Sequence, residues 1–250
     1  MRSGRFVLLA TQRSGSTWIA ELLNNAAPDV ATYGELFLEQ RRTWDVGPED
    51  VLRFTEHPAS ETRWSRPLGT FRYLRELYDR PGTVGFKLMY SQLQAFPEAW
   101  AYIATGVKVV HLVRSNVLDT LISTYMTQAR GAYHSHEAAA VAQASSIVLK
   151  PETIVAELDR IDSKISYVRK LVACSPCPSL EINYETVRAD PDSTIDEVAS
   201  FIGTEVHSGA TSTLRKLRTS DKRATIENYT EIASELAGSK YERLLADEHE

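Results

Sequence analysis

Apolar runs of strand length alternate along this chain with stretches in which apolar residues recur at helical spacing. Residues 6–10 are continuously apolar, which is the pattern of a strand that is covered on both faces. Helical spacing follows soon afterwards and places four apolar residues on one face, Ile19, Leu22, Leu23 and Ala26. The first part of the chain therefore predicts a buried strand, a short loop and an amphipathic helix.

The loop between this strand and this helix has the composition of an anion site. Residues 11–18 read TQRSGSTW. They provide a guanidinium group, hydroxyl groups and backbone N–H groups at a helix N-terminus, where an anion is best held. The residues concerned are Arg13, Ser14, Gly15, Ser16 and Thr17. We expect a phosphate or a phosphate-like group to bind there.

The loop nevertheless lacks the lysine of nucleotide triphosphatases, whose P-loop reads G-x-x-x-x-G-K-[ST]. When Gly15 and Thr17 are aligned with that motif, Ser16 stands in place of the lysine. Ala10 replaces the first glycine, and the positive charge lies upstream at Arg13. These replacements argue against hydrolysis of ATP or GTP. The remaining alternative is a strand-to-helix turn in which Ser16 merely caps the helix.

The rest of the chain repeats the alternation of strands and helices. Apolar runs predict further strands over residues 83–90, 107–113 and 179–183, and a short extended piece lies within residues 30–37. Helical patterns predict helices over residues 71–78, up to residue 103, after Asn116, over residues 151–172 and from Pro191 to near Gly203. This order favours a parallel sheet with right-handed crossovers. We therefore predict an α/β fold with a single P-loop-like domain, in which helices flank a central, mainly parallel sheet.

One edge of this predicted sheet collects polar side chains. Ligands of open α/β sheets bind at the carboxyl ends of the strands. Four features follow separate predicted strands at that edge, the Arg13 loop, Tyr90, Arg114 and Tyr184. Arginine at a strand end can grip a phosphate with two parallel hydrogen bonds. The sequence therefore predicts one ligand site along this edge.

Composition limits the partners of that site. The chain has 250 residues, of which 43% are hydrophobic, and its formal net charge is −5. This charge argues against a nucleic-acid partner, so any anion site must be a local basic cluster. We find no signal peptide and no apolar run that could span a membrane, so we expect a cytoplasmic protein. The pair Cys174 and Cys177 is interpreted as part of a helix-to-strand connection rather than a redox or zinc motif.

The loop residues Thr-Gln-Arg-Ser-Gly-Ser-Thr-Trp resemble the 5′-phosphosulfate-binding loop of sulfotransferases that use PAPS (3′-phosphoadenosine 5′-phosphosulfate). Arginine at position 13 is similar to the bacterial carbohydrate and small-molecule sulfotransferases of the Stf0-like type. The resemblance implies that the loop holds the donor through Arg13, Ser14, Gly15, Ser16, Thr17 and Trp18. It also implies catalysis without a metal, because a sulfuryl group carries less charge than a phosphoryl group.

Two later segments extend the resemblance. The segment H-L-V-R-S-N-V-L-D-T-L-I-S is similar to the family's 3′-phosphate site, which implies that Arg114 and Ser123 bind that phosphate. The segment S-L-E-I-N-Y-E resembles the family's strand before its C-terminal part, and it places Tyr184 among the cofactor-binding residues. The 3′-phosphate is what distinguishes PAPS from ATP, so Arg114 would determine the specificity for the donor.

A basic run near the C-terminus, residues 214–223, stands out in a chain of negative net charge. It resembles the basic segment with which the family covers the 3′-phosphate and the adenine. The resemblance implies that residues 210–250 cover the cofactor and that Arg218 and Lys222 contact it. The alternative is an ordinary solvated face.

Two further residues are candidates for the chemistry. Glu35, in T-Y-G-E-L-F, is the predicted base, because apolar neighbours would desolvate it and the Stf0-like enzymes place a glutamate in a similar G-E motif. Lys87 interrupts the apolar strand GFKLM and resembles a lysine of the bacterial relatives, so it would stabilise the transferring group or orient Glu35. Arg13 would neutralise charge on the leaving oxygen. The alternatives are a surface glutamate and a lysine that turns outward.

The sequence thus predicts a PAPS-dependent sulfotransferase that acts on a hydroxyl of a small-molecule, sugar or lipid acceptor and yields PAP (3′-phosphoadenosine 5′-phosphate) and a sulfate ester. The alternatives are an ATP-dependent small-molecule kinase and an inactive nucleotide-binding protein of the same fold. Residues 39–70 and 131–150 are predicted to be inserts on the acceptor side, and they would choose the acceptor. The oligomeric state stays open.

Overall fold

The fold is built around a parallel sheet with helices packed on it. A computed structural model describes residues 4–38, 48, 50–60, 66–129, 146–207, 209, 211 and 221–246. The chain divides into two compact units, one of Met1–Ser115 with Tyr167–Leu214 and one of Asn116–Ser166 with Arg215–Glu250. A single domain over residues 1–250 stays a prediction.

The sheet lies in the first unit and has the strand order β2-β3-β1-β4-β5. The strands are β1 (Arg5–Ala10), β2 (Val30–Tyr33), β3 (Thr83–Met89), β4 (Lys108–Val113) and β5 (Ser179–Asn183). Every neighbouring pair is parallel, which confirms the predicted α/β class. The first apolar run forms the central strand, which explains why its residues are apolar on both faces.

The described residues also form ten α-helices. They are α1 (Ser16–Ala26), α2 (Arg66–Tyr78), α3 (Tyr90–Ala95), α4 (Pro97–Ile103), α5 (Val117–Ala129), α6 (Pro151–Ala173), α7 (Tyr184–Ala189), α8 (Pro191–Ile202), α9 (Lys222–Thr225) and α10 (Tyr229–Leu236). Short 3-10 helices lie at Phe54–Glu56, Pro58–Ser60 and Glu242–Leu245. None of the helices in the described part of the chain is long and apolar enough to cross a membrane.

The apolar face of α1 packs on one side of the sheet. Ile19 and Leu23 are fully buried there in one cluster with Leu8 of β1 and Ile195 of α8. Full burial of an aliphatic side chain of this size contributes about 1.5–3 kcal/mol. The N-terminus of α1, which carries the loop predicted to bind an anion, is therefore held against the central strand by its own apolar face.

Two elements differ from the predicted pattern, and both differences shape the site. The helix expected up to residue 103 is divided between α3 and α4, because Pro97 has no N–H to continue the first helix. The extended piece within residues 30–37 pairs with β3 only as far as Tyr33. Glu35 lies in the turn that follows, where the N–H of Leu38 donates to the carbonyl of Glu35 at 3.1 Å.

The second unit contains α5, which begins after Asn116 as predicted, and Asn116 caps its first turn. The N–H of Asp119 donates to Oδ1 of Asn116 at 3.1 Å. The carboxylate of Asp119 is fully buried and lies 3.9 Å from Nζ of Lys222, which is also buried. A parallel bridge between Ile147 and Ile226 joins the two chain segments that make up this unit.

Candidate active site

The loop between β1 and α1 presents backbone N–H groups at the carboxyl edge of the sheet. The first intrahelical bond of α1 runs from the N–H of Ile19 to the carbonyl of Gly15 at 3.1 Å. The N–H groups of Ser16, Thr17 and Trp18 therefore precede the hydrogen-bonded part of the helix. The fully buried Ser14 donates its hydroxyl to the carbonyl of Thr11 at 2.7 Å, so this side chain braces the loop from inside.

Two residues give the loop its sharp path. Arg13 has φ 63° and is the one non-glycine residue of the described ranges in the left-handed region, while Gly15 has φ 89°. A Cβ atom on Gly15 would lie 2.4 Å from the ring of Tyr184. Glycine is therefore required here both by the backbone and by the ring above it. The side chain of Arg13 stands at the exposed end of this loop.

Tyr184, which follows β5 directly, joins the loop to the end of β4. Its ring makes an edge contact with Trp18, with 5.9 Å between the ring centroids. The guanidinium of Arg114 lies 4.7 Å from the centroid of the same ring. Arg114 is buried and follows β4, so three sequence-predicted cofactor residues meet at this point. The contact stacks a cation on an aromatic face and fixes the plane of the guanidinium.

Lys87 and Glu35 come together beside the same loop. Lys87 is the fifth residue of β3, and its side chain is 1% exposed. Its Nζ donates to Oγ1 of Thr17 at 2.9 Å and lies 3.7 Å from Oε1 of Glu35, whose side chain is 16% exposed. The lysine therefore turns inward to the site, and its charge is shared between the loop hydroxyl and the carboxylate.

Two residues that the sequence did not indicate hold Glu35. Nε2 of Gln92 donates to Oε2 of Glu35 at 2.9 Å. The guanidinium of Arg53 is buried and donates to the backbone carbonyl of Glu35 at 2.7 Å. Glutamine in the first turn of a helix after a strand is a common capping pattern, which could have singled out Gln92. Its contact with a residue 57 positions away has no local signal.

The turn of Glu35 is also anchored by apolar packing. Phe37 is buried in an aromatic cluster, with ring centroids 5.0 Å from Phe96, 5.4 Å from Phe54 and 5.8 Å from Phe86. Such pairs add about 0.5–1.5 kcal/mol each beyond the area they bury. Two positions after the carboxylate, the chain is thus fixed by a buried aromatic side chain.

A second polar chain runs from the buried His111 of β4 to the exposed Glu181 of β5. Nε2 of His111 lies 2.5 Å from the hydroxyl of Tyr90, and Nδ1 lies 3.1 Å from Oε2 of Glu181. Arg169 binds both oxygens of Glu181, at 2.8 and 2.9 Å. Burial lowers the pKa of His111 and raises that of Tyr90, and the hydrogen bonds from Arg169 lower the pKa of Glu181. The imidazole is therefore neutral at pH 7, and Tyr90 donates to it.

The remaining sequence-predicted residues lie in the second unit or outside the described residues. Ser123 is half-buried in α5. Nζ of Lys222 donates to the carbonyl of Ala246 at 2.5 Å and lies 3.9 Å from Oδ1 of Asp119, and its expected cofactor contact stays a prediction. Arg218 lies outside the described residues, as do residues 131–145 and much of the segment 39–70. Among the residues that are described, no group of His, Cys, Asp or Glu side chains is arranged to hold a metal ion.

Comparison with known families defines the class of protein. A model of the sulfotransferase domain matches residues 3–246, so the chain belongs to the sulfotransferase-domain family. The match confirms the predicted family and the general reaction, which is transfer of a sulfuryl group. Sulfotransferases of this kind use PAPS, in agreement with the expected donor. No curated protein sequence matches the chain.

Several solved structures are similar to the chain. A sulfotransferase from Alicyclobacillus acidocaldarius is 15% identical with a TM-score of 0.47, over 98% of this chain and 96% of that one. The mouse sulfotransferase SULT7A1, complexed with PAP, is 14% identical with a TM-score of 0.39, over 83% of this chain and 62% of that one. A retinol dehydratase in a complex with retinol and PAP is 16% identical, with the same TM-score and the same coverage.

Proposed function

We propose that the chain transfers the sulfuryl group of PAPS to a hydroxyl of a small-molecule, sugar or lipid acceptor, with Glu35 as the base. The observation that carries the proposal is the arrangement of Glu35, Lys87 and Thr17. The buried ammonium of Lys87 lies 3.7 Å from the carboxylate of Glu35 and 2.9 Å from the hydroxyl of Thr17, at the N-terminus of a helix. This is the set of groups that deprotonation and charge stabilisation require.

The residues at the carboxyl edge fit a donor that carries a 5′-phosphosulfate and a 3′-phosphate. The N–H groups of Ser16, Thr17 and Trp18 would hold the 5′-phosphate, since they precede the intrahelical bonds of α1. Thr17 accepts a hydrogen bond from Lys87, so its own hydroxyl proton is available to an anion. Arg114, with its guanidinium plane fixed on Tyr184, would grip the 3′-phosphate.

The reacting groups then have distinct tasks. PAPS supplies a sulfuryl group on a bridging oxygen that leaves with the phosphate. Glu35 takes the proton of the acceptor hydroxyl as that oxygen bonds to sulfur, and the bond from sulfur to the bridging oxygen breaks. Lys87 faces the loop and the base together, so it would stabilise negative charge on the transferring group. Arg13, at the exposed end of the loop, would neutralise the leaving oxygen.

The remaining expectations complete this proposal. Residues 39–70 and 131–150 would form the acceptor side, and residues 210–250 would cover the donor with Arg218 among the contacts. Ser123 would add a hydroxyl to the 3′-phosphate site. Arg66 and Glu98, paired at 2.6 Å, support the start of α2 at the end of the first insert. That insert is therefore attached to the framework at its C-terminal side.

Transfer of labelled sulfate tests the assignment of the base. We expect Glu35→Gln to lower kcat by about 10²–10⁴-fold, which is the range for loss of a general base. Its affinity for PAP should stay within about twofold of the parent, because Gln keeps the shape of the side chain and the phosphate sites are separate. The exposed Glu197→Gln in α8 is the matched control and should behave as the parent. Full activity in Glu35→Gln would contradict the assignment.

Calorimetric titration with PAP, AMP and ATP tests the donor site. We expect tight binding of PAP alone, and a loss of about 10–100-fold in Arg114→Ala, which removes a charge-assisted contact to the 3′-phosphate. Arg75→Ala, at an exposed position of α2, serves as the control. Binding of ATP without preference for PAP would favour the kinase alternative. Binding of PAP without turnover of any hydroxyl acceptor would favour the inactive protein.

A further inference from the structure

Gln92 occupies a position from which it controls the carboxylate of Glu35. It is the third residue of α3, and it is 5% exposed. Its Oε1 accepts the N–H of Met89 at 3.0 Å, and its Nε2 donates to Oε2 of Glu35 at 2.9 Å. Both ends of the amide are therefore engaged inside the protein.

The amide can adopt one orientation only. The backbone N–H of Met89 is a donor, so the atom that faces it must be the amide oxygen. The nitrogen consequently faces Glu35, and Oε2 of Glu35 must act as an acceptor. A proton on Oε2 would place two donors against each other, because Nε2 has no lone pair to offer.

The two oxygens of Glu35 are thereby made different. Oε2 is held by a neutral donor that leaves the charge of the carboxylate in place. Oε1 lies 3.7 Å from Nζ of Lys87, the ammonium that also binds Thr17 of the loop. Of the two oxygens, Oε1 is therefore the one that faces the ammonium of Lys87, beside the loop where we expect an anion to bind.

The support of this carboxylate extends to its backbone and to the start of α3. Arg53 donates to the carbonyl of Glu35 at 2.7 Å, and the N–H of Lys87 donates to the carbonyl of Gly34 at 3.2 Å. The hydroxyl of Tyr90, the first residue of α3, is bound to His111. The segment that carries Glu35 and the helix that carries Gln92 are thus each fixed by contacts besides the bond between Glu35 and Gln92.

We propose that Gln92 is a positioning residue, which holds Oε2 of Glu35 so that Oε1 receives the proton of the acceptor hydroxyl. The inference rests on the proposed role of Glu35 as the base. A carboxylate that turned freely would present either oxygen, and a displacement of about 1 Å at a reacting group can cost about 10²-fold in rate. Gln92 would touch neither the donor nor the acceptor.

Two substitutions at position 92 test this role. Gln92→Met keeps the volume and removes the donor, and we expect kcat to fall by about 10–100-fold while the KM for PAPS and the affinity for PAP change by less than about twofold. Gln92→Glu keeps the shape and places a second carboxyl group against Oε2. Like charges at this distance raise the pKa of the pair, so the acid limb of the kcat/KM profile should move to higher pH by about one unit.

The exposed Gln94 of the same helix provides matched controls, Gln94→Met and Gln94→Glu, which should leave both readouts unchanged. Thermal unfolding is measured for every variant. If Gln92→Met fails to fold, the pH profile of kcat/KM for Gln92→Glu is the test of the inference. A parental kcat in Gln92→Met, or an unmoved profile in Gln92→Glu, would overturn the inference while Glu35→Gln stays inactive. An active Glu35→Gln would overturn the assignment of the base, and the inference with it.

Discussion

Two polar clusters, each with a buried basic side chain, lie on β3 and β4, the strands that flank the central strand β1, and they are built from similar parts. The first contains Lys87 of β3, and the second contains His111 of β4. Each basic residue faces a glutamate, Glu35 in the first cluster and Glu181 in the second. Each cluster also receives a side chain from α3.

The difference between the clusters lies in how the glutamate is held. Glu181 is bound through both oxygens by the guanidinium of Arg169, at 2.8 and 2.9 Å, so its charge is neutralised and its pKa is lowered. Glu35 is instead oriented by the amide of Gln92. The ammonium of Lys87 lies 3.7 Å from Glu35, and its hydrogen bond to Thr17 is shorter, at 2.9 Å. A neutral donor orients a carboxylate without neutralising it, which suits a base that must accept a proton. In the proposed mechanism, the first cluster serves chemistry, and we expect the second to serve stability.

Removal of the cation, Lys87 in the first cluster and Arg169 in the second, is expected to give the largest difference in kcat between the two clusters. Lys87→Met should lower kcat by about 10²–10³-fold, because it removes a preorganised charge from the water-excluded part of the site. Arg169→Met should leave kcat within about threefold, and its cost in stability should be at most about 1 kcal/mol, since that pair is half-exposed. Sulfuryl transfer and urea unfolding measure the two effects. Equal losses of activity in both variants would show that the clusters act as one unit.

Removal of one hydroxyl in the second cluster is expected to have a smaller effect. Tyr90→Phe leaves Nε2 of His111 buried without its donor, and we expect a loss of about 1–3 kcal/mol in the free energy of unfolding. Chemical denaturation measures this loss, with Tyr33→Phe as a control, because the Tyr33 hydroxyl makes a long contact of 3.4 Å to the exposed Asp50. kcat should stay within about threefold. A larger fall would mean that α3 transmits a change from one cluster to the other.

The smallest expected effect is a dependence of stability on pH. The folded state lowers the pKa of His111 by burial, against the opposing charge of Glu181, with Tyr90 and Arg169 as the other polar neighbours. Between the lowered pKa of folded His111 and its ordinary value of about 6.5, the unfolded state binds more protons, so stability falls as the pH drops through that window. Above it the contribution of His111 is constant. Unfolding of His111→Gln between pH 8 and pH 5.5 should show a weaker fall than the parent, and an identical fall would contradict the prediction.

The sequence predicted the parts of the site whose signals are local. The loop of residues 11–18 is one continuous motif, so its place at the start of a helix followed from periodicity and composition. Glu35 and Lys87 rested on resemblance, and the structure brings them together because β2 and β3 are neighbours in the sheet. Gln92 and Arg53 were missed, since their partners are 57 and 18 residues away. No pattern within a helix or a strand reports such a contact.

The same reasoning applies to the fold. The strands agree with the predicted runs to within about one to four residues, because five parallel strands that are covered by helices leave a plain apolar signature. The break between α3 and α4 was missed although Pro97 marks it, because the apolar spacing continues across it. The first and third residues of α3 contact different clusters because residues two apart do not share a face of a helix.

The contact of Lys87 with Thr17 spans 70 residues, whereas the bond from Ser14 to Thr11 that braces the loop spans three. Closing a long segment of chain costs more entropy than closing a short one, so the loop can keep its shape when the distant contacts have opened. On gentle heating, we therefore expect catalysis to fail at a lower temperature than the binding of an anion to the N–H groups of the loop. An enzyme stopped in this way would keep the loop folded, and cooling would restart it without any refolding of that loop.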